Sequence, residues 1–262
     1  MDVYAHRGAS IELPENTLAA FARAIEIGAE GIELDTYRSR DGIAVVIHDD
    51  TLDRTTNGTG PVTERTAVEL GALDAGNGEH VPTLEKVLAL AAGRVRVNIE
   101  LKDPEVVDAV IAAVARFEDL DWFASGAHWD ALAALRERTG AEVYPLSFGV
   151  AENGARLIER YRDQLTAAQA ANIRSSASDW TVALERALAI GAAGLSIYEA
   201  GLTPEIVAAI HHTGLQVWVW TVNDPARALE IAAMGADAIC TDAPAEVIAA
   251  REAIRTGARP TS

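Results

Sequence analysis

Gly31-Ile32-Glu33-Leu34-Asp35, followed after a short polar link through Asp41-Gly42 by Ile43-Ala44-Val45-Val46-Ile47-His48-Asp49, is the stretch on which the fold turns. Side chains two apart on a strand share a face, so Glu33 and Asp35 project together while Ile32 and Leu34 point the other way. Two carboxylates on one face at a strand end have the outline of a metal clamp. The link to Ile43 is too short for a crossover helix, which excludes parallel pairing and predicts that Ile43 to His48 folds back as a hairpin. Such a hairpin carries His48 back over the strand end that bears the two acids.

Outward from this stretch, short apolar runs alternate with segments of helical period. Strands are expected at Val3 to His6, Gly31 to Asp35, Val95 to Leu101, Trp122 to Ser125, Glu142 to Leu146, Gly194 to Ile197, Gln216 to Thr221 and Ala238 to Thr241. Helical stretches lie between them, among them Asn16 to Ile27, Leu84 to Ala91, Pro204 to His212 and Pro225 to Met234, and many stop at a glycine. This βαβα rhythm argues a parallel sheet covered by helices. The stretch from Thr51 to Pro82 has weak periodicity, with one short helical piece near Glu64 to Leu70. Between Ala151 and Ala193 the composition is helical, but Asn172 to Asp179 breaks the pattern.

A chain of 262 residues with 49% apolar content can bury a large core. Its formal charge of -17 disfavours nucleic acid and adsorption to an anionic membrane, because binders of both carry a basic face. An anionic substrate remains compatible, since a metal ion and a few local cations can reverse the potential inside a cleft. One cysteine, Cys240, leaves no internal disulfide and reads as a buried small hydrophobe. The opening Met1-Asp2-Val3-Tyr4-Ala5-His6 has no leader character and no apolar run is long enough to span a bilayer, so a cytoplasmic location is expected.

Polar residues at strand ends are the candidates for chemistry. His6, Glu33, Asp35, Glu100 and Lys102 qualify. Asn98, Glu100 and Lys102 share parity against Ile99 and Leu101. A surface edge strand alternates in the same way, but helical rhythm on both sides makes this a central strand with a polar face turned into the mouth. Carboxylates that converge without cysteine favour a hard divalent cation, Mg²⁺ or Ca²⁺, over zinc. For Glu100 and Lys102 the competing reading is a plain salt bridge.

His6-Arg7-Gly8, Pro14-Glu15-Asn16-Thr17, Glu33-Leu34-Asp35, His48-Asp49 and the run Thr51 to Gly58 resemble, in order and spacing, the glycerophosphodiester phosphodiesterase family. Trp218-Val219-Trp220-Thr221-Val222-Asn223 and Thr241-Asp242-Ala243-Pro244 extend the resemblance towards the carboxyl terminus. It implies a single (β/α)8 TIM barrel over residues 1–255, with a small insertion at 51–82 after the extra β-hairpin on the catalytic face. A disordered tail is expected at 256–262.

The resemblance further implies hydrolysis of a small-molecule glycerophosphodiester to glycerol 3-phosphate and an alcohol. One divalent metal ion would be held by Glu33, Asp35 and Glu100. Cleaving a phosphodiester needs one proton delivered and one removed, and histidine titrates nearest the working pH, so His6 and His48 are the expected acid and base. A lone histidine at a strand end is commonly structural; two in matching motifs are not. Arg7 offers a planar fork to a phosphate and Lys102 a mobile charge. Glu15 either orients Arg7 or a metal-bound water, or serves as a first-turn acid beside Asn16, the expected helix cap. Gly8 would let the backbone pass close to substrate. Trp220 is the expected wall for the alcohol and Trp218 is expected in the core. The chain departs from the family after the fourth strand, reading Ser125-Gly126-Ala127-His128-Trp129.

Two alternatives stay open. One is a lysophospholipase D-like enzyme acting on single-chain phospholipids, which a strongly apolar rim would support; none is visible in the sequence. The other is a catalytically silent barrel that binds phosphate esters. His80, His128, His211 and His212 match no motif.

Overall fold

Alternation along eight parallel strands decides the architecture: one set of side chains faces a ring of helices and the other fills the inside of a closed barrel. The computed structural model describes residues 1–160, 162, 165, 167–176 and 179–256. The strands are β1 (Asp2–His6), β2 (Gly31–Arg38), β3 (Ala44–Val46), β4 (Arg96–Leu101), β5 (Trp122–Gly126), β6 (Val143–Ser147), β7 (Gly194–Tyr198), β8 (Gln216–Trp220) and β9 (Ala238–Thr241). Around the barrel they run β1, β2, β4, β5, β6, β7, β8, β9 and back to β1, all parallel, with β3 attached antiparallel to β2. The helices are α1 (Leu18–Ile27), α2 (Ala67–Leu70), α3 (Leu84–Ala91), α4 (Val107–Val114), α5 (Trp129–Thr139), α6 (Ala151–Arg160), α7 (Ala167–Ser176), α8 (Trp180–Ala189), α9 (Pro204–His211), α10 (Pro225–Met234) and α11 (Pro244–Thr256).

Ile32, Leu34, Val97, Ile99, Leu195, Ile197, Val217, Val219 and Ile239 are buried in one core with the inner faces of the helices. On the opposite parity, Tyr4, Phe123, Tyr144 and Trp218 plug the barrel near the amino-terminal ends of the strands. Trp218 lies 4.0 Å from Tyr4 and 4.7 Å from Phe123, centroid to centroid. Their size dictates the small residues beside them: a Cβ on Gly31 would overlap the Tyr4 ring, and one on Gly194 the Tyr144 ring. Because the plug closes one end, the open space lies at the carboxyl-terminal ends.

The hairpin forms as the short link requires, with Thr36 opposite Val46 and Arg38 opposite Ala44. β2 runs three residues past Asp35, the end expected from sequence, because those residues pair with β3. The excursion that follows has its own core of Tyr37, Val45, Ile47, Leu52, Val62, Leu70 and Val81. In place of one helical piece from Glu64 to Leu70 it has a 3₁₀ turn at Val62–Glu64 and then α2, which Thr66 and Glu69 close with a reciprocal capping box.

Other expectations shift. α1 is capped by Thr17, whose hydroxyl accepts from the Ala20 N–H, and not by Asn16. Asn172 to Ser176 belongs to α7 instead of breaking a helix, while residues 177 and 178 lie outside the described residues. Among the described residues three helices, α6, α7 and α8, therefore lie between β6 and β7. Thr256 closes the last helix, and 257–262, the rest of the expected disordered tail, lie outside the described residues.

Candidate active site

Strand register assembles the acids. β1 and β2 set His6 beside Glu33, β2 and β4 set Glu33 beside Asn98 and Asp35 beside Glu100, and β5 sets Ser125 beside Glu100. All have the parity that points into the barrel, so the mouth carries two stacked polar rows above the aromatic plug. Glu33, Asp35 and Glu100 each offer an oxygen within 4.8 Å of the others. Glu33 Oε1, Asp35 Oδ1 and Asn98 Oδ1 are buried without a hydrogen-bond partner. An unpaired buried polar atom costs about 1–3 kcal/mol, more when charged, so oxygens grouped in this way suit a hard cation.

Both motif histidines line the cleft above these rows, and each is held by a carboxylate at Nδ1. His6 Nδ1 lies 2.6 Å from Asp242 Oδ1, and Asp242 in turn accepts from Ser10 Oγ at 3.1 Å and Asn223 Nδ2 at 2.6 Å. His6 Nε2 is 3.9 Å from Glu33 Oε2. His48 Nδ1 lies 2.6 Å from Asp49 Oδ1, and Arg54 Nε donates to the other Asp49 oxygen at 2.6 Å. A carboxylate at Nδ1 keeps the proton there, which leaves Nε2 of the neutral ring as the reacting nitrogen.

Glu15 ties the loop after β1 to the excursion. It accepts from Arg7 at 3.0 Å and from Arg54 at 2.9 and 2.8 Å, three residues ahead of α1, and so is no first-turn acid. Arg7 also approaches Asp35 with Nε at 3.2 Å, and its backbone N–H donates to Glu33 Oε2 at 3.0 Å. Asn16 donates its side-chain amide to Asp35 Oδ2 at 2.8 Å, the contact that takes it away from the cap position. Lys102 Nζ lies 3.1 Å from Glu100 and 3.5 Å from Asp35. Gly8 does not face the cleft: its φ is +81° and a Cβ there would collide with the Ala20 backbone, so the close approach it permits is to α1.

Electrostatics in the site follow from crowding. Burial and then the neighbouring Asp35 charge push Glu33 up to about 8. Asp35 goes the other way: burial opposes its charge, but His48, Arg7 and Lys102 outweigh it and hold the carboxyl well below its usual range. Burial, reinforced by Arg7 and Lys102, lowers His48 to about 4. For His6, burial and Arg7 pull down while Glu33 and Asp242 pull up, and the acids prevail. Lys102 is raised: burial works against its charge, and Glu100 and Asp35 overcome it.

The opposite side of the mouth differs. Trp220 ends β8 with its indole N–H donated to Ser196 O at 3.1 Å, and Trp218 sits in the plug. Leu146, Phe148, Leu157, Ile173 and Tyr198 line the cleft beside Trp220. In sequence these residues look like core, and Asp242, Asn223 and Arg54 carry no expected role. The Thr-Asp-x-Pro and His-Asp motifs were the available signals for the polar ones. His128, matched to no motif, also lines the cleft, with Nε2 3.1 Å from Lys102 O. His80 contacts Leu73 O in the excursion, and His211 pairs with Asp237.

The glycerophosphoryl diester phosphodiesterase family model matches residues 6–246. A glycerophosphodiester phosphodiesterase of Caldanaerobacter subterraneus subsp. tengcongensis is 34% identical over 261 residues, covering 94% of this chain and 96% of the relative. One from Bacillus altitudinis is 30% identical, covering 97% and 99%. A phosphodiesterase of Oleispira antarctica, solved in complex with the product sn-glycerol-3-phosphate, superposes with a TM-score of 0.78 at 28% identity, covering 96% of this chain and 97% of that one.

Proposed function

The chain belongs to the glycerophosphoryl diester phosphodiesterase family, and we propose that it hydrolyses glycerophosphodiesters to glycerol 3-phosphate and an alcohol through His6 and His48. The observation that carries this is the pairing of a carboxylate cluster, in which Glu33 Oε1 and Asp35 Oδ1 are buried without a hydrogen bond, with two imidazoles, each fixed at Nδ1 by its own acid. A silent phosphate-ester-binding barrel has no use for that arrangement. We take residues 1–255 as one catalytic unit with 51–82 as its excursion, since Arg54 from the excursion buttresses the His48–Asp49 pair.

Glu33, Asp35 and Glu100 would hold one divalent ion, Mg²⁺ or Ca²⁺; an all-oxygen donor set suits either. When bound, such an ion supplies positive charge to the phosphate oxygens, where charge builds in the transition state. The need is plain from the lining: Glu15, Asp49, Asp50, Glu100, Asp103, Glu105, Glu199 and Asp242, with Glu33, outnumber Arg7, Arg38, Arg54 and Lys102, so an anionic diester meets net repulsion without it. Arg7 and Lys102, already leaning on these acids, are placed to turn their remaining N–H groups to the phosphate. One imidazole Nε2 takes a proton from the attacking oxygen and the other gives one to the departing alkoxide. Trp220 walls the alcohol.

The acidic composition supports an enzyme with no nucleic-acid partner and no stable membrane association, and we take it as cytoplasmic. Among the described residues no helix is long and apolar enough to cross a membrane. The test is a metal-supplemented screen of choline, ethanolamine, inositol and glycerol diesters with detection of glycerol 3-phosphate. Turnover of at least one is expected, and none with either metal would overturn the reading.

A further inference from the structure

Arg54 does more than buttress one histidine. It stands on a turn of the excursion that is fixed on both sides. The carbonyl of the buried Leu52 accepts from the Thr56 N–H at 3.1 Å and from the Thr56 hydroxyl at 2.7 Å, and Asp53 Oδ2 accepts from the Gly60 N–H at 3.0 Å. From that base the guanidinium lies between two carboxylates of different loops. Nε and Nη2 donate to Asp49 at 2.6 and 3.2 Å, while Nη1 and Nη2 donate to Glu15 at 2.9 and 2.8 Å. Each carboxylate passes the restraint to a different part of the reaction. Asp49 Oδ1 lies 2.6 Å from His48 Nδ1, whereas Glu15 Oε1 accepts from Arg7 Nη1 at 3.0 Å. Arg7 Nε in turn lies 3.2 Å from Asp35 Oδ2.

An acid–base group and a phosphate-binding group thus hang from two edges of one rigid plane. The four bonds take all but one of the N–H groups of Arg54. Although it lines the cleft, it has no edge left for a two-point grip on a phosphate. Without the guanidinium, Asp49 and Glu15 would face each other with no positive charge between them, and each would turn towards the partner left to it. A lysine is no substitute: its ammonium supplies the charge but not two parallel pairs of bonds along two edges.

The structure assigns Arg54 as a positioning residue that couples His48 to Arg7. Through Asp49 it sets the imidazole, and through Glu15 it sets the guanidinium that meets the phosphate, so one group aligns both. The inference rests on the phosphodiesterase reading above and adds to it a coupling between proton transfer and phosphate binding. It also gives the excursion a part in the reaction through a residue that does not touch the substrate.

The experiment uses the full chain with Mg²⁺ or Ca²⁺ and a diester that the wild type cleaves. Arg54→Ala and Arg54→Lys should each lower kcat by about 10–100-fold, with the lysine variant within about threefold of the alanine variant. Glu15→Gln and Asp49→Asn should be coupled in the wild type: the product of their separate losses in kcat/KM should differ from the loss in the double variant by about fivefold or more. In the Arg54→Ala background that difference should shrink to about twofold or less. Proton NMR gives a readout independent of turnover. The Nδ1–H resonance of His48, held by Asp49, should shift or broaden in Arg54→Ala while that of His6, held by Asp242, stays in place. If Arg54→Ala does not fold, Arg54→Lys carries the same coupling and resonance measurements. A raised KM with kcat kept marks direct contact with the phosphate and overturns the positioning role. Equal coupling of Glu15 and Asp49 with and without Arg54 overturns it, as does movement of both histidine resonances together, the mark of a general loosening. A wild type that cleaves no diester overturns it together with the phosphodiesterase reading.

Discussion

The two halves of the barrel mouth are built on opposite principles. Over β9, β1, β2 and β4 charged side chains are held by directed bonds: Asp242 by Ser10 and Asn223, Asp49 by Arg54, Glu15 by Arg7 and Arg54. Over β6 to β8 the wall is made mainly of rings and aliphatic side chains, whose apolar contacts have no direction, with the Trp220 indole N–H bond to Ser196 O as a directed exception. Charge must be oriented to act, and orientation takes a network of directed bonds. An apolar wall needs only shape and the exclusion of water. The polar half is therefore suited to one chemistry, and the apolar half to selecting what is brought to it.

The sharpest way to break this division is to remove a cluster carboxylate. Glu33→Gln, or exhaustive EDTA treatment of the wild type, should lower kcat on any diester by about 10³-fold or more. Full activity in either case would show that the polar half works without a cation.

The next effect is smaller and separates the two imidazoles. His6→Ala and His48→Ala should each cost on the order of 10²–10⁴-fold on an alkyl diester. One of them should be largely rescued on a nitrophenyl diester, whose phenolate leaves without a proton; the other should not. Asp242→Asn should keep the imidazole but loosen its tautomer, for a loss of roughly 10–100-fold, with a shifted pH profile marking a positioning role. Near wild-type rates in both alanine variants would remove the acid and base from this half.

The smallest effect is read in stability. In the metal-free protein Glu33 protonates at about 8 against an ordinary 4.5, so the folded state holds a proton that the unfolded chain has released. That contribution is complete below pH 4.5 and is lost as pH rises through 8. His48, lowered to about 4 from 6.5, acts oppositely, losing stability as pH falls below 6.5, and is silent above it. Thermal midpoints with EDTA should therefore fall by on the order of a few degrees from pH 6.5 to 8.5. Glu33→Gln should reduce that slope. An equal slope in wild type and variant would show that Glu33 is not the strained acid.

The sequence alone carried most of the polar half, for a reason the fold makes clear. Strand parity is strictly two, so the spacing of Glu33 with Asp35 and of Asn98 with Glu100 is enough to disclose a shared face. The short link to Ile43 permits nothing but a hairpin, so His48 over the mouth also followed from local geometry. Asn16 was misread because a cap and a bond to Asp35 demand the same residue type, and the partner lies 19 residues away.

What only tertiary structure decided depends on contacts between distant segments. The His6–Asp242 pair joins residues 236 apart in the chain, brought together because β1 lies beside β9 when the barrel closes. The apolar half was invisible because Leu146, Leu157, Ile173 and Tyr198 look like core residues in any sequence. Hydrophobicity reports that a side chain avoids water, and only the packing shows whether it meets other protein or an open cleft.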